Sequence, residues 1–215
     1  MVYDMQSLKV LVLAGGHSSR MGSPKHLLPL AKGPLYLHFI EILHEALPEI
    51  TVHHVSLAER SILDDTLRNG TALLPSADDA TPVSIQLEII LDTSNRDIGP
   101  AAGLLAAHCL DPAATWLVIA CDYPLLEAAA VRQLVQSYEP PVTCFSNADG
   151  FSEPLLGIWS PNALGSLKEN VENGRSGPSF TTKKLNGKLI VPTDQGWLVN
   201  VNTRQEWTAA KARMQ

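Results

Sequence analysis

The sequence has few of the residues that define several protein classes. Cysteine occurs only 3 times in 215 residues, and no two cysteines stand in a CxxC spacing, which excludes a disulfide framework and a zinc knuckle. We interpret Cys109, Cys121 and Cys144 as buried, reduced thiols. No apolar run approaches the ~18 residues of a membrane-spanning helix. Asp4 and Lys9 interrupt the first segment, so a secretion signal is not predicted and we expect a cytoplasmic protein.

Positive charge is also scarce. The chain has 16 Lys and Arg against 22 Asp and Glu, a formal net charge of −6, which argues against binding to nucleic acids or anionic membranes. Hydrophobic residues make up 45% and charged residues 18%, so the chain can bury a full core and disorder is not predicted. This length predicts a single domain spanning residues 1–215.

Short aliphatic runs alternate with segments of helical periodicity along most of the chain. The predicted strands are Lys9–Ala14, Ile50–Val55, Leu87–Leu91, Trp116–Ala120, Val142–Phe145, Leu155–Trp159, Lys188–Val191 and Trp197–Val201. The predicted helices are Pro34–Ala46, Glu59–Arg68, Gly99–Leu110, Glu127–Ser137, Ala163–Asn173 and Thr203–Met214. The polar segment Asn69–Ser84, broken by two prolines, is interpreted as a surface excursion.

This alternation predicts a doubly wound α/β fold, with a mostly parallel sheet and helices on both faces. In such folds, ligands bind beyond the carboxyl ends of the strands. The residues that directly follow each predicted strand are therefore the first candidates for a functional site.

A glycine-rich loop follows the first predicted strand. Gly15 and Gly16 have no Cβ, so a base or a phosphate can approach their backbone closely. Arg20 and Lys25 supply positive charge for a polyphosphate. The loop is neither a Walker A motif nor a GxGxxG dinucleotide motif. Two glycines alone would be compatible with an ordinary turn, but the whole segment favours a nucleotide-binding loop.

The segment Leu13–Lys25 resembles the signature LAGGxSxRMGxxK of molybdenum cofactor guanylyltransferases and related nucleotidyltransferases. The fixed positions of this signature are met by Leu13, Ala14, Gly15, Gly16, Ser18, Arg20, Met21, Gly22 and Lys25. In that family the loop wraps the triphosphate and the base of a nucleotide. The resemblance implies a Rossmann-like nucleotidyltransferase fold. It also implies nucleotide binding by Leu13–Gly16 and catalytic roles for Arg20 and Lys25.

Asp122 follows the buried run Trp116–Cys121 and precedes a Tyr-Pro turn. A carboxylate at this position supplies the hard oxygen that Mg²⁺ prefers, although a turn or capping aspartate is the alternative interpretation. The segment resembles the CDxP motif of the same family. The resemblance implies that Asp122 binds the catalytic Mg²⁺.

Asp92 ends the third predicted strand, and Gly99-Pro100-Ala101-Ala102-Gly103 opens the next helix. Free amides at a helix start can meet a ligand, and Asp92 could instead be a capping or turn residue. The pattern resembles the family's Asp, short loop and GPLAG, with Ala101 in place of leucine. The resemblance implies that Asp92 and Gly99 hold the guanosine part.

Candidate acceptor-binding residues lie in the last third of the chain. If Trp197–Val201 ends as a strand, Asn200 and Asn202 point to one face, although a strand end followed by a helix cap is the plainer interpretation. This segment resembles the family's NxNTPE, which implies that both asparagines lie near the acceptor phosphate. Glu153, in Glu-Pro-Leu, and Arg175, in Gly-Arg-Ser, are assigned to the same pocket by resemblance. A solvated loop position suits Arg175 equally well.

The resemblance implies transfer of GMP from GTP to the phosphate of molybdopterin, with release of pyrophosphate and Mg²⁺ as cofactor. Because the related cytidylyltransferases tend to carry AAG, the tetrapeptide Leu13–Gly16 favours GTP over CTP. A molybdopterin cytidylyltransferase, a sugar-phosphate nucleotidyltransferase and a non-catalytic nucleotide-binding module remain alternatives. The sequence predicts no oligomeric state.

Overall fold

The computed structural model describes residues 7–15, 23–75, 81–92 and 98–214. The strands are β1 (Leu8–Leu13), β2 (Pro29–Leu30), β3 (Gly33–Pro34), β4 (Val52–Ala58), β5 (Thr71–Leu74), β6 (Val83–Asp92), β7 (Thr115–Ala120), β8 (Val142–Ser146), β9 (Ser152–Trp159) and β10 (Lys188–Ile190). The helices are α1 (Leu35–Ala46), α2 (Asp65–Asn69), α3 (Ala101–Leu110), α4 (Ala128–Ser137), α5 (Pro161–Glu172), α6 (Pro178–Lys184) and α7 (Arg204–Arg213).

Eight of the described strands form one sheet in the order β10-β8-β9-β7-β1-β4-β6-β5. The pairs β7-β1, β1-β4, β4-β6 and β8-β10 are parallel, whereas β9 and β5 run antiparallel to their neighbours. The prediction of a mostly parallel sheet is therefore confirmed. The carboxyl ends of β1, β4, β6, β7, β8 and β10 share one edge with the start of β9, and we call this the carboxyl edge.

The two central strands explain why the aliphatic runs are so regular. Val10, Leu11 and Val12 are 0% exposed, and every residue of β7 is buried. Strands covered on both faces are expected to be continuously apolar. Helix α1 packs against α4, and α3 packs against α5. The connection β1-α1-β4 and the connection β6-α3-β7 run in opposite directions along the sheet, so right-handed crossovers place α1 and α3 on opposite faces.

The predicted helix and loop between β4 and β6 differ from the structure. The predicted helix Glu59–Arg68 is reduced to α2, because Asp64 caps it by accepting from the amide of Leu67, at 2.9 Å. Gly70 then ends the helix in the left-handed region, with φ 66°. The predicted surface excursion contains β5, which pairs with the edge of β6. The residues of β5 are mostly apolar and pair antiparallel with the next strand along the chain, although the rest of the segment is polar.

The predicted strand Trp197–Val201 was also wrong. Residues Gln195–Leu198 form a short 3₁₀ turn, which begins where the Asp194 side chain accepts from the amide of Gly196. Helix α6 was not predicted. The cysteine prediction holds for Cys121 and Cys144, which are buried, but Cys109 is exposed near the end of α3. In the described residues, no helix is long and apolar enough to cross a bilayer.

Candidate functional site

Lys25 lies between two oxygens contributed by distant parts of the chain. Its Nζ donates to Oδ1 of Asp122 at 2.7 Å and to Oδ1 of Asn202 at 2.8 Å. The Lys25 side chain is only 15% exposed, so its charge depends on these partners more than a surface lysine would. Three of the residues predicted for the site therefore meet at the carboxyl edge.

Backbone hydrogen bonds position Asp122 and Asn202. The amide of Cys121 donates to the carbonyl of Leu13 at 3.1 Å, which continues the β1–β7 pairing into the loop. The amide of Val201 donates to the carbonyl of Asp122 at 2.8 Å, so the two loops run side by side.

The start of α7 fixes Asn202 from the other side. Thr203 and Glu206 form a reciprocal capping box, and a carboxylate oxygen of Glu206 also accepts from the amide of Asn202, at 2.7 Å. These amide hydrogen bonds hold the pKa of Glu206 below its usual range. Thr203 is thus the cap of the last helix, and the side chain of Asn202 contacts Lys25 instead.

The end of β1 is clamped onto the end of β4. The amides of Ala14 and Gly15 both donate to the carbonyl of Ser56, each at 2.9 Å. A Cβ on Gly15 would lie 3.0 Å from the amide nitrogen of Ala58, so the close approach favours glycine. Leu13 and Ala14 are each only 8% exposed, so little of either residue is open to a ligand. Gly16 and Arg20 lie outside the described residues.

A second set of side chains surrounds Glu153 at the start of β9. The hydroxyl of Tyr123 donates to Oε2 of Glu153 at 2.7 Å, and Nδ2 of Asn147 donates to Oε1 at 3.0 Å. Asn202 in turn donates from Nδ2 to Oδ1 of Asn200. Tyr123 and Asn147 were missed by sequence reasoning. The signal for Tyr123 was available, since it directly follows Asp122.

The remaining predicted residues are more dispersed. Asp92 is the last residue of β6 and is level with Ala58 of β4 at the carboxyl edge. Gly99 has φ +59°, a conformation that favours glycine, and precedes α3. Arg175 places its guanidinium over the ring of Phe180, 4.9 Å from the centroid. In the described part of the chain, no hydrogen bond joins Arg175 to Lys25, Asp122 or Asn202.

The side-chain oxygens near Lys25 are suitable ligands for a hard divalent cation. They are the carboxylate oxygens of Asp122 and the amide oxygens of Asn200 and Asn202, and the Lys25 ammonium lies between Asp122 and Asn202. No group of three or more His, Cys, Asp or Glu side chains suited to a metal occurs among the described residues. Mg²⁺ commonly uses one or two protein carboxylates and completes its shell with waters and substrate phosphates. These residues therefore fit a metal that is shared with a nucleotide.

Comparison with known proteins identifies the family. The profile of the MobA-like NTP transferase domain matches residues 10–186. The chain belongs to the MobA-like NTP transferase family. The resemblance inferred from Leu13–Lys25 is thereby confirmed, while the extension of the domain to residues 1–215 stays a prediction. Asn200 and Asn202 lie beyond the matched residues, although the fold brings them to Lys25.

Curated relatives of this MobA-like chain cover nearly all of it. The molybdenum cofactor guanylyltransferase of Serratia proteamaculans is 30% identical over 200 residues, which are 91% of this chain and 90% of that protein. The molybdenum cofactor biosynthesis bifunctional protein of Synechocystis is 28% identical over 200 residues. That match covers 92% of this chain but 52% of the Synechocystis protein, so the chain spans about half the length of that relative.

Solved structures share the fold. Molybdopterin-guanine dinucleotide biosynthesis protein A from Archaeoglobus fulgidus superposes with a TM-score of 0.65 at 20% identity, over 96% of this chain and 98% of that one. A Mycobacterium tuberculosis protein solved in complex with manganese gives a TM-score of 0.59 at 17% identity, with the same coverage of 96% and 98%. At these identities the likeness establishes the MobA-like fold alone.

Proposed function

We propose that this MobA-like protein transfers GMP from GTP to the phosphate of molybdopterin and releases pyrophosphate, with Mg²⁺ as its divalent cofactor. The observation that carries the proposal is the meeting of Lys25, Asp122 and Asn202 at the carboxyl edge. The name and the 30% identity of the Serratia relative support the choice of nucleotide and acceptor. The expectation of a cytoplasmic protein stays a prediction.

The chemistry needs positioning and charge neutralisation rather than a protein nucleophile. An oxygen of the acceptor phosphate forms a bond to the α-phosphorus of GTP, while the bond from that phosphorus to the β-bridging oxygen breaks. The electron pair of the broken bond leaves with pyrophosphate. In this proposal Lys25 and Arg20 bind the triphosphate and offset the charge that accumulates on the leaving group.

The proposed nucleotide contacts follow the strand ends. The backbone of Leu13–Gly16 lines the nucleotide, and Asp92 and Gly99 hold the guanosine. The clamped end of β1 supports this assignment, since the Ala14 and Gly15 amides are fixed at 2.9 Å from the Ser56 carbonyl. A preformed backbone binds a ligand at a lower ordering cost than a mobile loop.

The proposed acceptor contacts are Asn200, Asn202 and Arg175, with Glu153 beside them. The amides of the two asparagines are neutral hydrogen-bonding groups that suit a phosphate. Arg175 is exposed, and its stacking on Phe180 leaves guanidinium donors for an anion. Of these four residues, Glu153 fits contact with an anion least well, because its charge would repel one.

Asp122, Asn200 and Asn202 are the residues that would hold the metal. When bound, Mg²⁺ would neutralise phosphate oxygens and orient the transferred group. The manganese in the M. tuberculosis structure belongs to that protein, and it makes Mn²⁺ a sensible second cation to test.

A pyrophosphate-release assay tests the proposal directly. Purified protein is incubated with molybdopterin and each of GTP, CTP, ATP and UTP, with Mg²⁺, with Mn²⁺ and with a chelator. We expect release with GTP that requires both the acceptor and the metal. A preference for CTP would identify a cytidylyltransferase and overturn the guanylyl assignment. Absence of release with every nucleotide would favour a non-catalytic binding module.

A further inference from the structure

The turn between β8 and β9 is closed by hydrogen bonds that converge on Asn147. Its side-chain oxygen accepts from the amides of Asp149 and Phe151, at 3.1 and 3.0 Å. Its backbone amide donates to the carbonyl of Phe151, and its carbonyl accepts from the amide of Gly150, each at 2.9 Å. These bonds define the backbone of the turn and, with it, the position of Phe151.

Two further hydrogen bonds attach this turn to the loop that carries Asp122. Nδ2 of Asn147 donates to Oε1 of Glu153 at 3.0 Å, and the hydroxyl of Tyr123 donates to Oε2 of Glu153 at 2.7 Å. Tyr123 directly follows Asp122 in the chain. Each carboxylate oxygen of Glu153 thus accepts from one of the two loops, and Glu153 holds the β8–β9 turn beside the candidate site.

The turn presents an aromatic ring to solvent. Phe151 is 69% exposed. A second exposed apolar residue at this end of the sheet is Val191, 68% exposed, which follows Ile190, the partner of Phe145 in the β8–β10 pairing. Single exposed apolar residues are common on protein surfaces, so exposure alone assigns no role to Phe151. Its place relative to Asp122 is the informative feature.

The sheet order places the turn on the side of Asp122 that is opposite to the proposed nucleotide contacts. Those contacts follow β1 and β6 or precede α3, whereas β9 and β8 lie on the other side of β7. Neighbouring strands are about 4.8 Å apart, so a turn joining β8 to β9 lies roughly 5–10 Å to the side of the residue that follows β7. With the nucleotide on the β1 side, an acceptor whose phosphate reaches Lys25 extends over this turn.

The acceptor of the proposed reaction has the chemistry that a phenyl ring recognises. Molybdopterin carries its phosphate on a fused heterocycle, whose planar end points away from the phosphate. Flat heteroaromatic rings stack on aromatic side chains, as nucleobases do in single-strand-binding proteins. The other proposed acceptor contacts are amides and charged groups, which suit the phosphate and not the face of a ring.

We propose that Phe151 is a specificity-determining residue, whose ring stacks on the planar heterocycle of the acceptor while the acceptor phosphate lies at Lys25. Asn147 is a positioning residue that holds the ring in place. This inference rests on the proposed function, which supplies the identity of the acceptor.

Isothermal titration of the whole protein with molybdopterin, without GTP, tests the stacking contact. We expect Phe151→Ala to raise the Kd about tenfold or more, the usual effect of one lost contact between a base and an aromatic side chain. Phe151→Tyr should stay within about twofold of wild type, and Phe151→Leu should resemble Phe151→Ala. An unchanged Kd in Phe151→Ala, or wild-type affinity in Phe151→Leu, would overturn the stacking assignment.

Leu73→Ala is the matched control, because Leu73 is also 69% exposed but lies in β5, at the opposite side of the sheet. It should bind molybdopterin as wild type does, and a loss equal to that of Phe151→Ala would overturn the proposal. A pterin without a phosphate should bind wild type more tightly than Phe151→Ala, whereas the Kd of Mg-GTP should be the same in both. Equal binding of that pterin by both proteins would place the heterocycle elsewhere.

A double-mutant cycle tests the role of Asn147. Asn147→Ala removes the side-chain hydrogen bonds that close the turn, so it should raise the Kd of molybdopterin and leave that of Mg-GTP unchanged. If Asn147 acts through the ring, the variant with both Asn147→Ala and Phe151→Ala should bind molybdopterin no more weakly than Phe151→Ala alone. Losses that multiply would show independent roles and overturn the positioning assignment.

These binding measurements separate the two proposals. Molybdopterin binding that depends on Phe151, in a protein that transfers no GMP, contradicts the proposed function and supports the stacking contact. Transfer by the wild type together with unchanged affinity in Phe151→Ala contradicts only the role of Phe151. A wild-type protein that does not bind molybdopterin contradicts both.

Discussion

The ammonium of Lys25 lies 2.7 Å from Oδ1 of Asp122, although 97 positions separate the two residues. A second lysine–aspartate pair, Lys9–Asp111, has the same 2.7 Å separation, but Lys9 is 37% exposed against 15% for Lys25. The two aspartates are similarly exposed, 37% for Asp122 and 32% for Asp111, so the pairs differ in the burial of the lysine and in their position. Lys9–Asp111 lies away from the residues proposed to bind the nucleotide and therefore serves as a control for Lys25–Asp122.

We expect Asp122→Asn to reduce GMP transfer on the order of 10²-fold or more, because the isosteric amide loses the charge that would hold the metal. Steady-state assays at saturating GTP and molybdopterin measure this effect. Asp111→Asn is the matched control and should retain transfer. Near-normal turnover by a folded Asp122→Asn protein would remove Asp122 from the metal site.

Lys25→Met should weaken GTP binding about tenfold or more, since a charge-assisted contact to the triphosphate is lost. Lys32→Met should have little effect, because Lys32 is exposed in the turn between β2 and β3. Isothermal titration with Mg-GTP gives both dissociation constants. Similar small losses in the two variants would mean that Lys25 acts only as a surface charge.

The same Lys25→Met variant should bind Mn²⁺ more tightly than wild type when no nucleotide is present. The reason is that the ammonium occupies the space between the oxygens of Asp122 and Asn202, so a free cation must displace it. Titration followed by the electron paramagnetic resonance signal of free Mn²⁺ measures the affinity. Equal or weaker binding by Lys25→Met would show that lysine and metal do not share these oxygens.

Gly15→Ala should lower the free energy of unfolding by ~1–3 kcal/mol, because its Cβ would lie 3.0 Å from the Ala58 amide and would force the end of β1 away from β4. Gly165→Ala is the control, since no atom lies within 4 Å of its added Cβ and alanine favours a helix interior. Chemical denaturation compares the two. We further expect Gly15→Ala to impair GTP and CTP alike. A selective loss of GTP use would instead place that methyl in the base-binding site.

Stability should fall as the pH is lowered from about 6.5 to 4. Burial, with smaller contributions from His44 and His54, lowers the pKa of His53 to about 4, whereas an unfolded histidine titrates near 6.5. Between these pH values the unfolded chain binds a proton that the folded chain does not. Protonation therefore lowers the free energy of unfolding by up to about 3 kcal/mol. Denaturant titrations at several pH values should show that the free energy of unfolding depends less on pH in His53→Leu than in the wild type. An unchanged dependence would mean that His53 is not the responsible group.

Much of the fold was predictable because it depends on local patterns. The aliphatic runs that became β1 and β7 are buried on both faces, so every position had to be apolar and the pattern was unambiguous. Strand β5 and helix α6 were missed because they are short, with 4 and 7 residues. Each is held by packing, β5 against β6 and α6 against α5 and β9.

The residues of the candidate site likewise divide into those that local sequence patterns identified and those that they did not. The glycine-rich loop and Asp122 could be named because each follows a recognisable strand within the sequence. The prediction that Asn200 and Asn202 share a strand face was wrong, yet a side-chain hydrogen bond still joins them. Tyr123 could have been named from its position directly after Asp122, whereas Asn147 had no sequence signal that separates it from an ordinary turn residue.

The sequence by itself determined the α/β class, the glycine-rich loop after β1 and the acidic residue after β7, because hydrophobic periodicity and short-range motifs encode these features. Only the tertiary structure decided that Lys25 bonds Asn202 across 177 positions, that β9 runs against its neighbours and that Glu153 anchors Tyr123. Such contacts depend on which strands become adjacent and on how α7 is capped. They arise from packing of the whole chain, which no local segment specifies.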